Sequence, residues 1–396
     1  MKINKIGKII FIVLFLSIIT LFPLFTLVDA DRTLSVIENR FLAQTPKINK
    51  TSLLNGEFFS KFEKYFSDQL YGRDLIMNAY SNLQLEMLKK RKINDVVIGN
   101  EDYLLPYNEY INDKTQEINI INSVVDSLLY IDKVISECGG NLYYLNIPHK
   151  SEIYADKYPQ FFENGYDNYL TKYSLKMNRL KKGGINVVDV TQILEEKKEE
   201  DEYIYFKTDH HYNFKGAYYT YKELIKKINE NEGYDLKYPE WESMNKQIVN
   251  KKFVGSYLKK TGNIHNNFGD YYEYAFPDNY PKFERFESGK KYPNLLFKYD
   301  EYAGEIVDHD FLLGNRANTV IKTYRDWLPN ILIIGYSYTN NLESMAVYNF
   351  NEMHSIDPRT FNGNITDYIQ QHKLDIVVVV RDDLYEGNPS NKATIK

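Results

Sequence analysis

The chain has a single cysteine, Cys138, among 396 residues. No intrachain disulfide is possible, and no cysteine-based zinc site. Cys138 sits in Ile135-Ser-Glu-Cys-Gly-Gly140, at the end of an expected helix, where a buried, inert thiol fits better than a nucleophile. Basic charge is not in excess either: 49 Lys and Arg against 54 Asp and Glu leave a net charge of −5. That excludes nucleic acid as the main partner, because neutralising phosphates takes a basic surface. Internal repeats and low-complexity tracts are missing. With 43% hydrophobic and 26% charged residues, the bulk of the chain is not disordered by composition.

One long apolar run is present. Lys2, Lys5 and Lys8 precede an uncharged stretch from Ile9 to Val28. In a helix that stretch spans about 30 Å, the thickness of a bilayer's hydrocarbon core. Lysines on the cytoplasmic side would leave the body of the chain outside. A retained anchor is the favoured reading; Val28-Asp-Ala30 also loosely fits a signal-peptide cleavage site, which would release a secreted protein. Tyrosine is abundant, at 36 residues. Such rings can fill half-buried strand faces or stack on sugars.

Residues 31–95 read as a helical N-terminal region, with Phe58, Phe59, Phe62, Tyr65, Phe66 and Leu70 at helical spacing. From residue 96 to the end, helices alternate with short, continuously apolar strands. Examples are Leu142–Ile147, Ile185–Val190, Asn330–Ile334, His354–Ile356 and Asp375–Val380. Such strands predict an α/β fold, a parallel sheet with helices on both faces, and an active site at the strands' carboxyl ends. Residues from about 236 to 320 are rich in Tyr, Phe, Gly, Asn and Pro and read as a β-rich insertion.

Two signals carry chemistry. In Gly335-Tyr-Ser-Tyr338 a serine follows a buried strand and precedes a helix. That position suits a nucleophile beside backbone N–H groups, and equally an ordinary helix N-cap. In Asp209-His210-His211 the outer two residues share a face if the chain is extended, so a carboxylate could orient an imidazole. Metal binding and a surface turn are the other readings. The remaining histidines, His149, His265, His309, His354 and His372, are scattered, so no metal and no cofactor are expected. Together the signals supply nucleophile Ser337, base His211 and acid Asp209. The order Asp, His, Ser and the residue Thr339 depart from the G-x-S-x-G pattern.

Thr208-Asp-His-His-Tyr-Asn-Phe-Lys-Gly-Ala217 resembles the signature of the DHHW proteins, with Tyr212 where that family usually has Trp. That family is related to the alginate O-acetylation proteins of the SGNH-hydrolase-like superfamily. Glu38-Asn-Arg40, Phe58 through Arg73, Val96–Gly99, Ile147–Tyr154, Gly335–Asn341 and Ile356–Arg359 fit the same resemblance. It implies an SGNH-hydrolase-like domain over 96–396 and the roles just given for Ser337, His211 and Asp209. Tyr336 departs from the Asp or Thr that many relatives place before the serine. Lys150 matches a motif residue with no assigned role. Support for the oxyanion is expected from the Ser337 N–H and from Asn315; Arg359 is a further candidate near the site.

The resemblance implies an extracytoplasmic O-acetyltransferase acting on a polysaccharide through an acetyl-serine, supplied by a multispanning membrane-bound O-acyltransferase. An acetylesterase and a non-catalytic scaffold are the alternatives. Trp241, Tyr257, Tyr271 and Tyr272 are candidates for a glycan groove, with core packing as the competing reading.

Overall fold

The computed structural model describes residues 5–35, 40–107, 114–162, 166–250, 253–262, 270–293, 316–381 and 391–395. The chain divides into two compact units, Met1–Val97 with Ser256–Asn266, and Ile98–Gly255 with Asn267–Lys396.

The first unit begins with α1 (Lys5–Val28), whose mean hydropathy of 2.7 and length suit a membrane span. It continues through α2 (Glu57–Gln69) and α3 (Arg73–Asn82), each entered through a left-handed glycine, Gly56 and Gly72. The N–H of Tyr71 donates to Thr26 Oγ1 at 2.9 Å, and the rings of Phe25 and Tyr71 lie 5.3 Å apart. The C-terminal end of α1 is thus fastened to the turn between α2 and α3.

The second unit is built on an eight-stranded sheet. Its strands are β1 (Asn141–Asn146), β2 (Asn186–Asp189), β3 (Glu284–Glu287), β4 (Lys290–Tyr292), β5 (Asn318–Lys322), β6 (Ile331–Ile334), β7 (Glu352–Ile356) and β8 (Ile376–Val380). The spatial order is β4-β3-β5-β7-β6-β8-β1-β2. The five strands from β7 to β2 run parallel. Among them β6 and β8 are buried along their whole length, as strands covered on both faces must be. Burying the five side chains of β8 contributes roughly 1.5–3 kcal/mol each.

One face of the sheet packs on α4 (Lys114–Glu137), α5 (Tyr166–Lys182) and a later helix, Ile365–Gln371, around Leu128, Ile131, Leu142, Tyr144, Leu332 and Val377. On the other side α6 (Phe214–Glu232) packs against β2 and against the short helix α7 (Asn340–Ala346).

Cys138, expected to be buried, is exposed at the end of α4, where the chain turns toward β1 at the surface. Two further expectations need correction. The sheet is mixed, because β5, β3 and β4 extend it antiparallel from β7. The stretch read as an insertion therefore lends β3, β4 and the start of β5 to the main sheet, while its hairpin, Asn245–Ile248 with Glu273–Phe276, pairs apart from that sheet. The burial pattern gives the reason: β5 and β3 alternate between buried and half-buried, the pattern of strands with one face against the core.

Candidate functional site

The loop Thr208–His211 closes a tight connection between Tyr205 and Tyr212, which form an antiparallel bridge. Phe206 N–H donates to His211 O at 3.3 Å and Asn213 N–H to Ile204 O at 2.9 Å. Asp209 makes an Asx turn: its Oδ1 accepts from His211 N–H at 3.0 Å, a bond that Asp forms readily with the residue two positions on. The same oxygen lies 2.6 Å from His211 Nδ1. The two side chains meet through this turn and not along an extended strand. The turn also leaves the His210 and His211 rings adjacent, 3.6 Å between centroids, where an extended chain would have splayed them.

Three neighbours hold the loop. Asp270 accepts from Lys207 N–H at 2.7 Å, from Thr208 N–H at 2.6 Å, from Tyr203 OH at 2.6 Å, and from the Thr208 hydroxyl. Lys150, almost fully buried, donates from Nζ to the carbonyls of Leu104, Lys207 and Asp209 at 2.6, 2.6 and 3.1 Å. Burial lowers its pKa to about 7, against the pull of Asp270 and Asp209. Gly255 lies so close that a Cβ there would sit 2.3 Å from the Thr208 carbonyl carbon. Beyond the loop, Asn213 caps α6 by accepting from Gly216 N–H at 3.0 Å. Gly216 leaves room for Ile204 O, which a Cβ would meet at 2.4 Å.

Ser337 enters from the carboxyl end of β6, in a single 3₁₀ turn (Ser337–Thr339) leading into α7. Its Oγ lies 2.7 Å from His211 Nε2. With Asp209 as acceptor at Nδ1–H, Nε2 is left to accept the serine proton. Side chains 126 residues apart in sequence therefore form a continuous Ser–His–Asp line. His211 and Asp209 are buried.

Tyr338 locks the two halves together. Its OH donates to His210 O at 2.7 Å, and its carbonyl accepts from the Tyr212 hydroxyl. Burial raises the Tyr338 pKa, which keeps the phenol protonated. The Arg381 guanidinium stacks 4.4 Å from the Tyr338 ring centre and also donates to His149 Nε2. Arg381 follows β8 with a positive φ of 56°, a conformation non-glycine residues rarely adopt.

Tyr336 is half-buried, donates its OH to Asn391, and stacks under Arg359 at 4.3 Å. Arg359 is held by the Asp357 carboxylate, with Nη2 at 2.7 Å. Asn315 lies outside the described residues. Trp241, Tyr257 and Tyr272 are buried. Trp241 packs on Phe214 and Tyr218, and Tyr272 OH donates to Asn341 Oδ1 at 3.0 Å. Tyr271 keeps an exposed face, stacked on Tyr203 at 4.9 Å. Asp209, His210 and His211 present ligand atoms within 4.8 Å of one another, but the geometry engages both His211 nitrogens with Asp209 and Ser337.

Sequence reasoning missed Asp270, Tyr338 and Arg381. The first lies far along the chain from the loop it clamps. The other two look like ordinary aromatic and surface residues until the fold stacks them. Lys150 carried a visible signal, a lysine directly after strand β1 in Pro148-His-Lys150.

Residues 96–285 match the family model described as SGNH hydrolase-like domain, acetyltransferase AlgX. Asp209 and His211 fall inside that stretch and Ser337 beyond it. No curated protein sequence matches the chain at a significant level. Among solved structures, Bacillus cereus PatB1 with a sulfonyl adduct superposes with a TM-score of 0.60 at 18% identity, covering 76% of this chain and 98% of that one. Another PatB1 structure gives 0.60 at 19%, over 75% and 98%. A DHHW family protein from Eubacterium siraeum gives 0.54 at 18%, over 69% and 90%. At such identity the structural likeness speaks for the fold. Family model and fold agree: residues 96–285 are similar to the SGNH hydrolase-like, AlgX-type acetyltransferase domain, and the fold is that of the PatB1 and DHHW structures.

Proposed function

We propose that this protein is an extracytoplasmic O-acetyltransferase that passes acetyl groups to polysaccharide hydroxyls through an acetyl-Ser337 intermediate. The observation that carries the reading is the line from Ser337 Oγ through His211 to Asp209, at 2.7 and 2.6 Å, in a chain with an AlgX-type domain.

In the first step His211 Nε2 takes the proton of Ser337 as Oγ attacks the acetyl carbonyl of the donor. The tetrahedral intermediate collapses, and the leaving group departs with that proton. In the second step His211 deprotonates a sugar hydroxyl, whose oxygen attacks the acetyl-serine; the proton returns to Ser337 as the sugar ester forms. Asp209 holds the tautomer and stabilises the imidazolium of each step. The Ser337 N–H, at the start of its 3₁₀ turn, is the first oxyanion donor. A membrane-bound O-acyltransferase supplies acetyl to the outer face, and α1 retains the protein there.

The test incubates the full chain with an activated acetyl ester and an oligosaccharide acceptor. Acetyl-sugar is the expected product, with a mass gain of one acetyl group on the Ser337 peptide and none in Ser337→Ala. Acetate without acetyl-sugar would make the protein an esterase. Transfer undiminished in Ser337→Ala would end the serine mechanism. A sulfonyl fluoride should modify Ser337, as expected of a serine activated by a histidine.

A further inference from the structure

A second feature of the chain lies in its first unit. Ile76, Tyr80, Leu83 and Met87 are 46, 59, 40 and 74% exposed. They are spaced four, three and four residues apart, so they share one face of α3 and of the wider π turn, Leu83–Met87, that continues it. Leu75, 74% exposed, lies beside them. Four consecutive basic residues follow, Lys89-Lys-Arg-Lys92. Lys89 makes a long contact with Glu86, at 3.8 Å, and Lys90 Nζ donates to Gln84 Oε1 at 3.2 Å.

The start of α3 is fixed to the membrane-type helix. Tyr71 bonds Thr26 and packs on Phe25, and a Cβ at Gly72 would touch the ring of Phe22 at 3.4 Å. Phe22 to Thr26 belong to the last two turns of α1. If α1 spans the bilayer with its lysines inside, those turns lie at the outer boundary between acyl chains and headgroups.

We infer that α3 and its continuation lie along the outer membrane surface, the Ile76–Met87 stripe in the boundary layer and the Lys89–Lys92 run on anionic headgroups. The inference rests on the membrane-spanning reading of α1. An apolar stripe flanked by basic residues is the composition of interfacial helices. Basic residues near an anionic surface are drawn to it by its negative potential. The lipid surface is the occupant favoured here because α1 already brings the helix to it.

The test uses the full chain with Cys138→Ser, carrying a fluorophore at Leu14→Cys, Tyr80→Cys or Met87→Cys. Each is reconstituted in vesicles of phosphatidylcholine and phosphatidylglycerol with acyl-brominated quencher lipid. Quenching at Tyr80→Cys comparable to that at Leu14→Cys is the expected result. Quenching at Leu14→Cys with none at Tyr80→Cys would overturn the inference and leave the anchor standing. None at either would overturn both. Quenching at Met87→Cys should weaken in pure phosphatidylcholine or with Lys89→Glu and Lys90→Glu; no change would remove the headgroup contact.

Discussion

His211 makes its two contacts through opposite nitrogens, and both depend on which nitrogen carries the proton. Asp209→Asn keeps the Asx turn, since the amide oxygen still accepts from His211 N–H. It removes the carboxylate charge that stabilises the imidazolium formed as Nε2 takes the serine proton. We expect turnover to fall by about 10⁴-fold with an unchanged fold, read by acetyl-transfer kinetics beside circular dichroism.

Lys150 sets a second test at this scale. Three carbonyls match the three N–H donors of an ammonium, while burial favours the neutral amine and brings the pKa to about 7. Between about 7 and the ordinary lysine value of 10.5, the unfolded chain binds a proton that the native chain has released. Stability contributed by this group therefore rises with pH across that window. The groups facing it are Asp270, Asp209, Lys207 and the Tyr103 ring. Melting temperatures of wild type relative to Lys150→Met should rise from neutral to alkaline pH; a flat difference would remove Lys150 as the titrating group. Transfer should decline as pH rises through about 7, where the native chain releases this proton and one loop carbonyl loses its donor.

At the scale of elements, the site depends on how closely two loops approach. Gly255 carries no positive φ; it is needed for space, because a methyl would overlap Thr208 and the Asp209 amide nitrogen, 2.6 Å away. Gly255→Ala should cost about 1–3 kcal/mol, as overpacking does, seen as a lower denaturation midpoint together with lost transfer activity. Burial explains which elements were legible. Strands β6 and β8 announce themselves by unbroken apolar runs, and α6 by the helical period of Phe214, Ala217, Tyr218, Tyr221, Leu224, Ile225 and Ile228. The helix Thr191–Glu199 is not legible in the sequence, since its apolar face is short and Leu194 alone among its residues is buried. Strands β3 and β5 read as part of an insertion because half-buried alternation does not say which sheet a strand joins.

For the whole molecule, charge and hydropathy point to the outer side of a membrane. If α1 is retained, the protein should stay with the membrane fraction through alkaline carbonate washing and leave it only in detergent. Intact mass spectrometry of the mature chain should then include residues 1–30; a mature N-terminus near Asp31 would mean cleavage and release.

The sequence by itself determined the apolar N-terminal run, the strands buried on both faces, and the residue types able to act as nucleophile, base and acid. These are properties of composition and short-range period. Only the tertiary structure decided that the oxygen of Ser337 meets the imidazole of His211, that Asp270 and Lys150 grip the loop between them, and that Arg381 stacks on Tyr338. Those contacts join segments distant in the chain, and they exist only once the parallel strands bring their carboxyl ends to one edge.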